Sequence, residues 1–222
     1  MASELLYKMI IEKAGAGRDQ DHINLLIVSD ASIPDRTEVI LSGDEAKCRE
    51  LEMQLSEDIK IFESTSCIGF CAACNTVHYF LDRIENSLSV PLIHMIRESS
   101  DYIVQHFKGG KIALLATDGT IKTRLYQNEL EKNGIEIYLL SRENQAVLMY
   151  EIYDRIKAGK RTDNVAWESI DAELREAGVS AALLACTELS LIKREERLSD
   201  FYLDSMEILA ESVLEFARKE KP

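Results

Sequence analysis

The chain moves between two hydrophobic periods. Leu5, Leu6, Met9 and Ile10 recur at helical spacing, which predicts a helix over 3–13 that Gly15 and Gly17 end. The continuous apolar run at 23–28 has the length and branching of a buried strand. Residues 29–37 are a polar loop in which Pro34 suits a first helical position. A charged amphipathic helix is predicted at 44–63, a strand of small and apolar residues at 66–73, a helix at 76–85, a short strand at 91–95 and a helix at 97–107. Gly109-Gly110 is the clearest turn. Beyond it the pattern predicts strand 111–116, helix 121–133, strand 135–140, helices 145–158 and 164–177, strand 179–185, helix 189–194, strand 201–203 and a closing amphipathic helix at 205–218.

Strands alternating with helices argue for an α/β fold, with mostly parallel sheets covered by helices on both faces. Ligands of such sheets bind beyond the C-terminal strand ends. The loops after Val28, Ala73, Ala116 and Ala185 all lie at such ends. The only repeat is coarse: two α/β halves, each carrying a strand, a Cys, a Thr and then a helix. These are Cys74-Asn75-Thr76 and Cys186-Thr187-Glu188. The halves are expected at 1–95 plus 205–222 and at 96–204. Opening an α/β chain on a helix is unusual.

Composition narrows the class. A hydrophobic fraction of 46% with 29% charged residues is that of an ordinary globular protein. No apolar run approaches the ~18–20 residues of a membrane span. The start, Met1-Ala2-Ser3-Glu4, has no basic region and is not expected to be a signal peptide. Five cysteines without a secretory signal are expected to stay reduced in a cytoplasm. The net charge of −13 disfavours nucleic acid as a partner. It also means that an anionic substrate needs local cations in a closed cleft.

Two thiols in matching contexts suit inversion of a stereocentre. One group removes the Cα proton from one face and another returns a proton to the opposite face. A thiolate serves as the base and a thiol as the acid, and a helix N-terminus favours the thiolate. Thr76 and Thr187 fit cap or first-turn positions, which places both sulfurs at a positive helix end. Asn75, Thr76, Thr187 and nearby backbone N–H groups are candidate donors to a substrate carboxylate.

Plainer readings compete. A single Cys after an apolar strand is more often a packing residue. Cys71-Ala-Ala-Cys74 has redox-motif spacing, with Cys67 just upstream. Zinc lacks a second close pair. Cys48 lies on a charged helix and carries no argument. His78, one turn beyond Cys74, either tunes that thiol or is an ordinary first-turn residue. His94 and His106 read as structural and His22 as a loop residue. Arg36, in a strand-end loop, is a candidate cation for a carboxylate.

The chain resembles the cofactor-independent aspartate/glutamate racemase family, and within it the aspartate racemases. The resemblance rests on Ile33-Pro-Asp-Arg-Thr37, Cys74-Asn-Thr-Val-His78-Tyr-Phe, Leu115-Ala-Thr-Asp-Gly-Thr120, Ile156-Lys-Ala-Gly159 and Ala185-Cys-Thr-Glu188, in family order. It implies two similar three-layer α/β/α domains related by a pseudo-two-fold, with the active site between them and no PLP, metal or other cofactor. It implies Cys74 and Cys186 as catalytic thiols, and Arg36 and Lys157 near the side-chain carboxylate of an acidic amino acid. It places Asn75, Thr76, Thr117 and Thr187 around the α-carboxylate and amino group, with Glu188 beside them, and it implies a homodimer. Related superfamily reactions, on hydantoins or malonates, and a non-catalytic ligand-binding homologue are the alternatives. The sequence departs from the family where a strand and a Gly-rich loop usually precede the first helix. Either the sequence lacks about ten residues at its start or a core strand is missing, and the second case would remove backbone donors from the substrate cleft and expose a sheet edge. A further departure is Ala73, where the family often has Pro.

Overall fold

The computed structural model describes residues 2–219. Five helices come before the first regular strand: α1 (Ala2–Lys13), α2 (Arg36–Ser42), α3 (Glu45–Ser64), α4 (His78–Ile84) and α5 (Met95–His106). They are followed by β1 (Lys111–Ala116), α6 (Asp118–Thr123), α7 (Leu125–Glu131), β2 (Glu136–Tyr138), α8 (Arg142–Tyr150), α9 (Asn164–Ala177), β3 (Ala181–Ala185), α10 (Thr187–Glu196), β4 (Tyr202–Asp204) and α11 (Ser205–Lys219). The α/β class with a parallel sheet is as expected. Among the described residues no helix is long and apolar enough to cross a membrane.

The strands form one four-stranded parallel sheet in the order β2-β1-β3-β4. Its central strands are apolar on both faces, as a parallel sheet covered on both sides requires. Ala113, Leu115, Ala182 and Leu184 face a layer made by Leu148, Ile152, Trp167, Ile170, Leu189 and Ile192. Ile112, Leu114, Ala116, Leu183 and Ala185 face Ile96 and Ile103 of α5 and Tyr126 and Leu130 of α7. The alternation follows from the two-residue period of a strand.

The first hundred residues are built differently. The run at 23–28, expected as a buried strand, joins no ladder. Leu25, Leu26 and Ile27 are 37%, 45% and 48% exposed. The strands expected at 66–73 and 91–95 shrink to one parallel bridge between Phe70 and Leu92. That bridge is made by Phe70 N–H donating to Pro91 O at 2.9 Å and Ile93 N–H donating to Phe70 O at 2.8 Å. A strand persists only where a neighbour satisfies its backbone. An apolar cleft of about 270 Å³, lined by Leu6, Tyr7, Leu25, Ile27, Phe62 and Phe70, lies beside the run at 23–28. Helix packing supplies the order here. Leu5, Met9 and Ile10 of α1 pack with Met206, Leu209 and Val213 of α11, and Leu51, Leu55 and Ile59 of α3 pack with Phe80 and Leu81 of α4.

Three further expectations change. The helix expected over 121–133 starts earlier and breaks at Arg124, which adopts a left-handed φ of 56° between α6 and α7. A helix does follow the polar loop, but Pro34 stands before its cap and not at its first position, because Asp35 caps α2 by accepting from Glu38 N–H at 3.0 Å. The helix expected at 145–158 changes pitch after Tyr150. Lys157 N–H donates to Ile152 O and Lys160 N–H to Arg155 O, five residues back in each case, which makes a wide π-type turn.

Candidate active site

Register decides which loops meet. Ala116 of β1 pairs with Ala185 of β3, so Thr117 and Cys186 leave the sheet side by side. Cys186 takes the cap position of α10, and its carbonyl accepts from Leu189 N–H at 3.0 Å. Its sulfur therefore sits at the positive end of that helix. Cys74 ends the segment tethered at Phe70. After it the chain tightens, with His78 N–H on Asn75 O and Tyr79 N–H on Thr76 O, before α4 begins. Thr187 is thus the first residue of its helix, whereas Thr76 lies in the turn ahead of its own.

All nine residues singled out in the sequence line one cleft of about 60 Å³: Arg36, Cys74, Asn75, Thr76, Thr117, Lys157, Cys186, Thr187 and Glu188. At ~10–15 Å³ per water of probe volume, this holds about five waters, the scale of a small polar solute. Ala2, Asp35, Thr37, Ala73 and Tyr153 complete the lining and were not anticipated as site residues. Asp35 had a signal in its place beside Arg36 before a helix. Tyr153 had one in standing a turn ahead of Lys157.

The thiols face opposite charges. Arg36 Nη2 lies 3.8 Å from Cys74 Sγ, and this neighbour, outweighing burial, accounts for the raised guanidinium pKa. Cys186 Sγ–H donates to Glu188 Oε2 at 3.0 Å, and Thr187 Oγ1–H donates to the same oxygen at 3.3 Å. Burial first, and the Glu188 carboxylate second, push the Cys186 thiol well above its ordinary range. The second cation is already paired. Lys157 Nζ donates to Asp35 Oδ2 at 2.9 Å and lies 3.9 Å from the Tyr153 ring centroid, while Tyr153 O–H donates to Asp35 Oδ1 at 3.1 Å. Burial opposes the charge on both Lys157 and Asp35, but their bond and the surrounding groups outweigh it. The lysine pKa is raised and the carboxylate's lowered.

Hydroxyls and amides join the N-terminal part to the sheet. Thr76 Oγ1 lies 3.1 Å from Thr117 Oγ1 and 2.9 Å from Thr120 Oγ1, and Thr37 Oγ1–H donates to Thr117 Oγ1 at 3.1 Å. Asn75 Oδ1 accepts from Tyr126 O–H at 2.5 Å, and its Nδ2–H donates to Ser205 Oγ at 3.2 Å. Much of the bonding capacity of Asn75 and Thr76 is therefore spent on this join. Gly119 lets it close, since a Cβ there would lie 2.9 Å from Thr37 Cα.

The other thiols pack elsewhere. All five cysteines are free. Burial pushes Cys71 up to about 12, and Cys48 is buried against α3 and α4. Among the described residues no three His, Cys, Asp or Glu side chains cluster as metal ligands.

Known proteins are similar to this chain in sequence and in fold. The chain is 26% identical over 202 residues to the broad specificity amino-acid racemase RacX of Bacillus subtilis, covering 90% of this chain and 84% of that one. It is 26% identical over 178 residues to the glutamate racemase of Aquifex pyrophilus, covering 73% and 67%. The structure of an aspartate racemase from Picrophilus torridus superposes with a TM-score of 0.78 at 25% identity, covering 98% of this chain and 89% of the other. An aspartate racemase homologue from Pyrococcus horikoshii gives a TM-score of 0.75 at 24% identity, over 98% and 94%. Residues 1–213 match the sequence model of the Asp/Glu/Hydantoin racemase family, and the chain belongs to that family.

Proposed function

We propose that this racemase interconverts the enantiomers of an acidic amino acid, aspartate before glutamate, by proton transfer between Cα and two cysteines. The supporting observation is one small cleft that holds two thiols from different parts of the chain together with Arg36 and Lys157. One thiolate removes the Cα proton. The electron pair delocalises into the substrate carboxylate, which nearby N–H and hydroxyl donors stabilise. The other thiol then delivers its proton to the opposite face, leaving the charges of the two sulfurs exchanged. Arg36 and Lys157 hold the side-chain carboxylate, which competes with Asp35 for the lysine. No group beyond the chain's own side chains takes part.

The charges around the sulfurs define a resting state. Glu188 keeps the proton on Cys186, and Arg36 stands beside the sulfur of Cys74. Cys74 is then the base for one enantiomer and Cys186 the base for its mirror image. Because enantiomers are equal in energy, kcat/KM must match in the two directions at every pH. The asymmetry therefore shows in thiol reactivity, or in kcat and KM taken separately.

The test is deuterium uptake from D2O at Cα of L- and D-aspartate, with glutamate, hydantoins and malonates as comparison substrates. Uptake is expected with aspartate, falling about 10²–10⁴-fold in Cys74→Ala and in Cys186→Ala. A folded protein that exchanges no acidic amino acid overturns the proposal. Turnover of a hydantoin or a malonate instead would move the substrate assignment. We place the active form as a homodimer, to be checked by sedimentation.

A further inference from the structure

Cys74 sits in the part of the molecule that has no ladder. Its N–H donates to Ala72 O at 2.9 Å, a contact within its own turn. Cys186, by contrast, follows a strand paired on both sides. Something other than a sheet must fix the first sulfur.

The fixing contacts come from a pair of adjacent imidazoles, tilted 57° to one another. His78 is fully buried. Its Nδ1 lies 2.8 Å from Cys74 O and 3.2 Å from Asn75 O, and its Nε2 accepts from Met95 N–H at 3.2 Å. Two carbonyls on one nitrogen and an N–H on the other allow a single assignment: a neutral ring protonated on Nδ1. Burial, then the neighbouring His94, hold the ring neutral by lowering its pKa to about 3. The His94 ring centroid is 4.4 Å away. His94 Nδ1 accepts from Arg97 N–H at 3.3 Å, so its Nε2–H donates to Asp82 Oδ1 at 3.1 Å. Arg97 bonds both Asp82 and Glu85. The loop carrying Cys74 is thereby tied to the start of α5, a helix that packs on the sheet.

We propose that His78 is the positioning residue of the Cys74 half-site: its Nδ1–H holds the Cys74 carbonyl and so aims the sulfur into the cleft beside Arg36. The ring does not contact the sulfur. It acts through the backbone, as a ladder partner does for the residue preceding Cys186. The proposal rests on Cys74 being an acid/base group, and it makes the two half-sites unequal, since one depends on a side chain and the other on a sheet.

The experiment compares His78→Asn, His78→Gln and His78→Ala. The Asn amide reproduces the position of Nδ1 and can donate to the Cys74 carbonyl. The Gln amide reaches toward Met95 N–H instead. Iodoacetamide labelling, resolved thiol by thiol with peptide mass mapping, is read beside deuterium exchange and thermal unfolding. His78→Ala is expected to slow Cys74 labelling relative to Cys186 and to lower kcat on the order of 10–100-fold with little change in KM, the size of effect a misplaced group produces. His78→Asn is expected to recover most of both, and His78→Gln much less. Equal recovery by Gln and Asn, or unchanged Cys74 labelling in a folded His78→Ala protein, overturns the assignment. Should His78→Ala not fold, the contrast between Asn and Gln decides alone. Because labelling needs no substrate, failure of the racemase reading, seen as undiminished exchange in Cys74→Ala, is distinguishable from failure of the role given to His78.

Discussion

The region around the parallel sheet and the region before it solve the same problem with different means. Around β1 and β3, backbone ladders and two apolar layers fix every strand end to its neighbour. Before β1, one bridge replaces the ladder, and three apolar residues of the would-be strand at 23–28 are more than a third exposed. Each region nonetheless delivers one thiol to the shared cleft. The sheet places Cys186 as a consequence of register, while helix caps, the threonine cluster and the imidazole pair place Cys74. Precision from a ladder is distributed over many bonds, and precision from side chains rests on few. The N-terminal half-site is therefore the more fragile one.

Stability should show the contrast most strongly. Leu184→Ala removes a fully buried side chain between two layers and is expected to cost about 2–5 kcal/mol. Leu26→Ala, at a position 45% exposed, is expected to cost below ~1 kcal/mol. Denaturant midpoints measure both, and similar losses would break the comparison. A second test concerns Asp204 at the end of β4. Burial raises its carboxyl to about 6 although Ser190 and Met206 N–H bond one oxygen; the other oxygen lacks a partner. A folded pKa above the unfolded one means stability present below about pH 4 and lost as pH rises through about 6. The shift corresponds to roughly 3 kcal/mol, and Asp204→Asn should flatten that decline in stability between about pH 4 and 6.

Smaller effects sharpen the asymmetry between the thiols. In Glu188→Gln, labelling of Cys186 should begin at lower pH, because the second cause of its raised pKa is gone, while labelling of Cys74 stays near wild type. Burial, the larger cause, remains, so the change at Cys186 should be partial. Amide exchange gives the finest comparison. The amides of 24–28 should exchange orders of magnitude faster than those of Ile112–Leu115 and Ala182–Leu184, since no ladder bond protects them.

The sequence carried the alternation of strands and helices, and β1 and α9 have the bounds the pattern predicted. Cysteines followed by threonines at strand ends are a local signal, and it pointed to Cys74, Asn75, Thr76, Cys186 and Thr187; Arg36 stood out by its strand-end loop, and Thr117, Lys157 and Glu188 came from the family resemblance. Asp35 and Tyr153 escaped it, since their importance lies in contacts that join Asp35 to Tyr153 and Lys157 across more than a hundred residues.

Local chemistry written along the chain thus determined the class of fold, the bounds of some elements such as β1 and α9, and the candidate thiols. Tertiary structure alone decided whether an apolar run becomes a strand, because a strand needs a partner that its own residues do not specify. Ile23–Val28 has the composition of a core strand and lacks a ladder, while Ala181–Ala185 has two neighbours and is the centre of the sheet. Only the fold, too, brought a cation to one of two chemically identical thiols, since Arg36 reaches Cys74 through space, whereas Glu188 already stands two residues from Cys186 in the sequence.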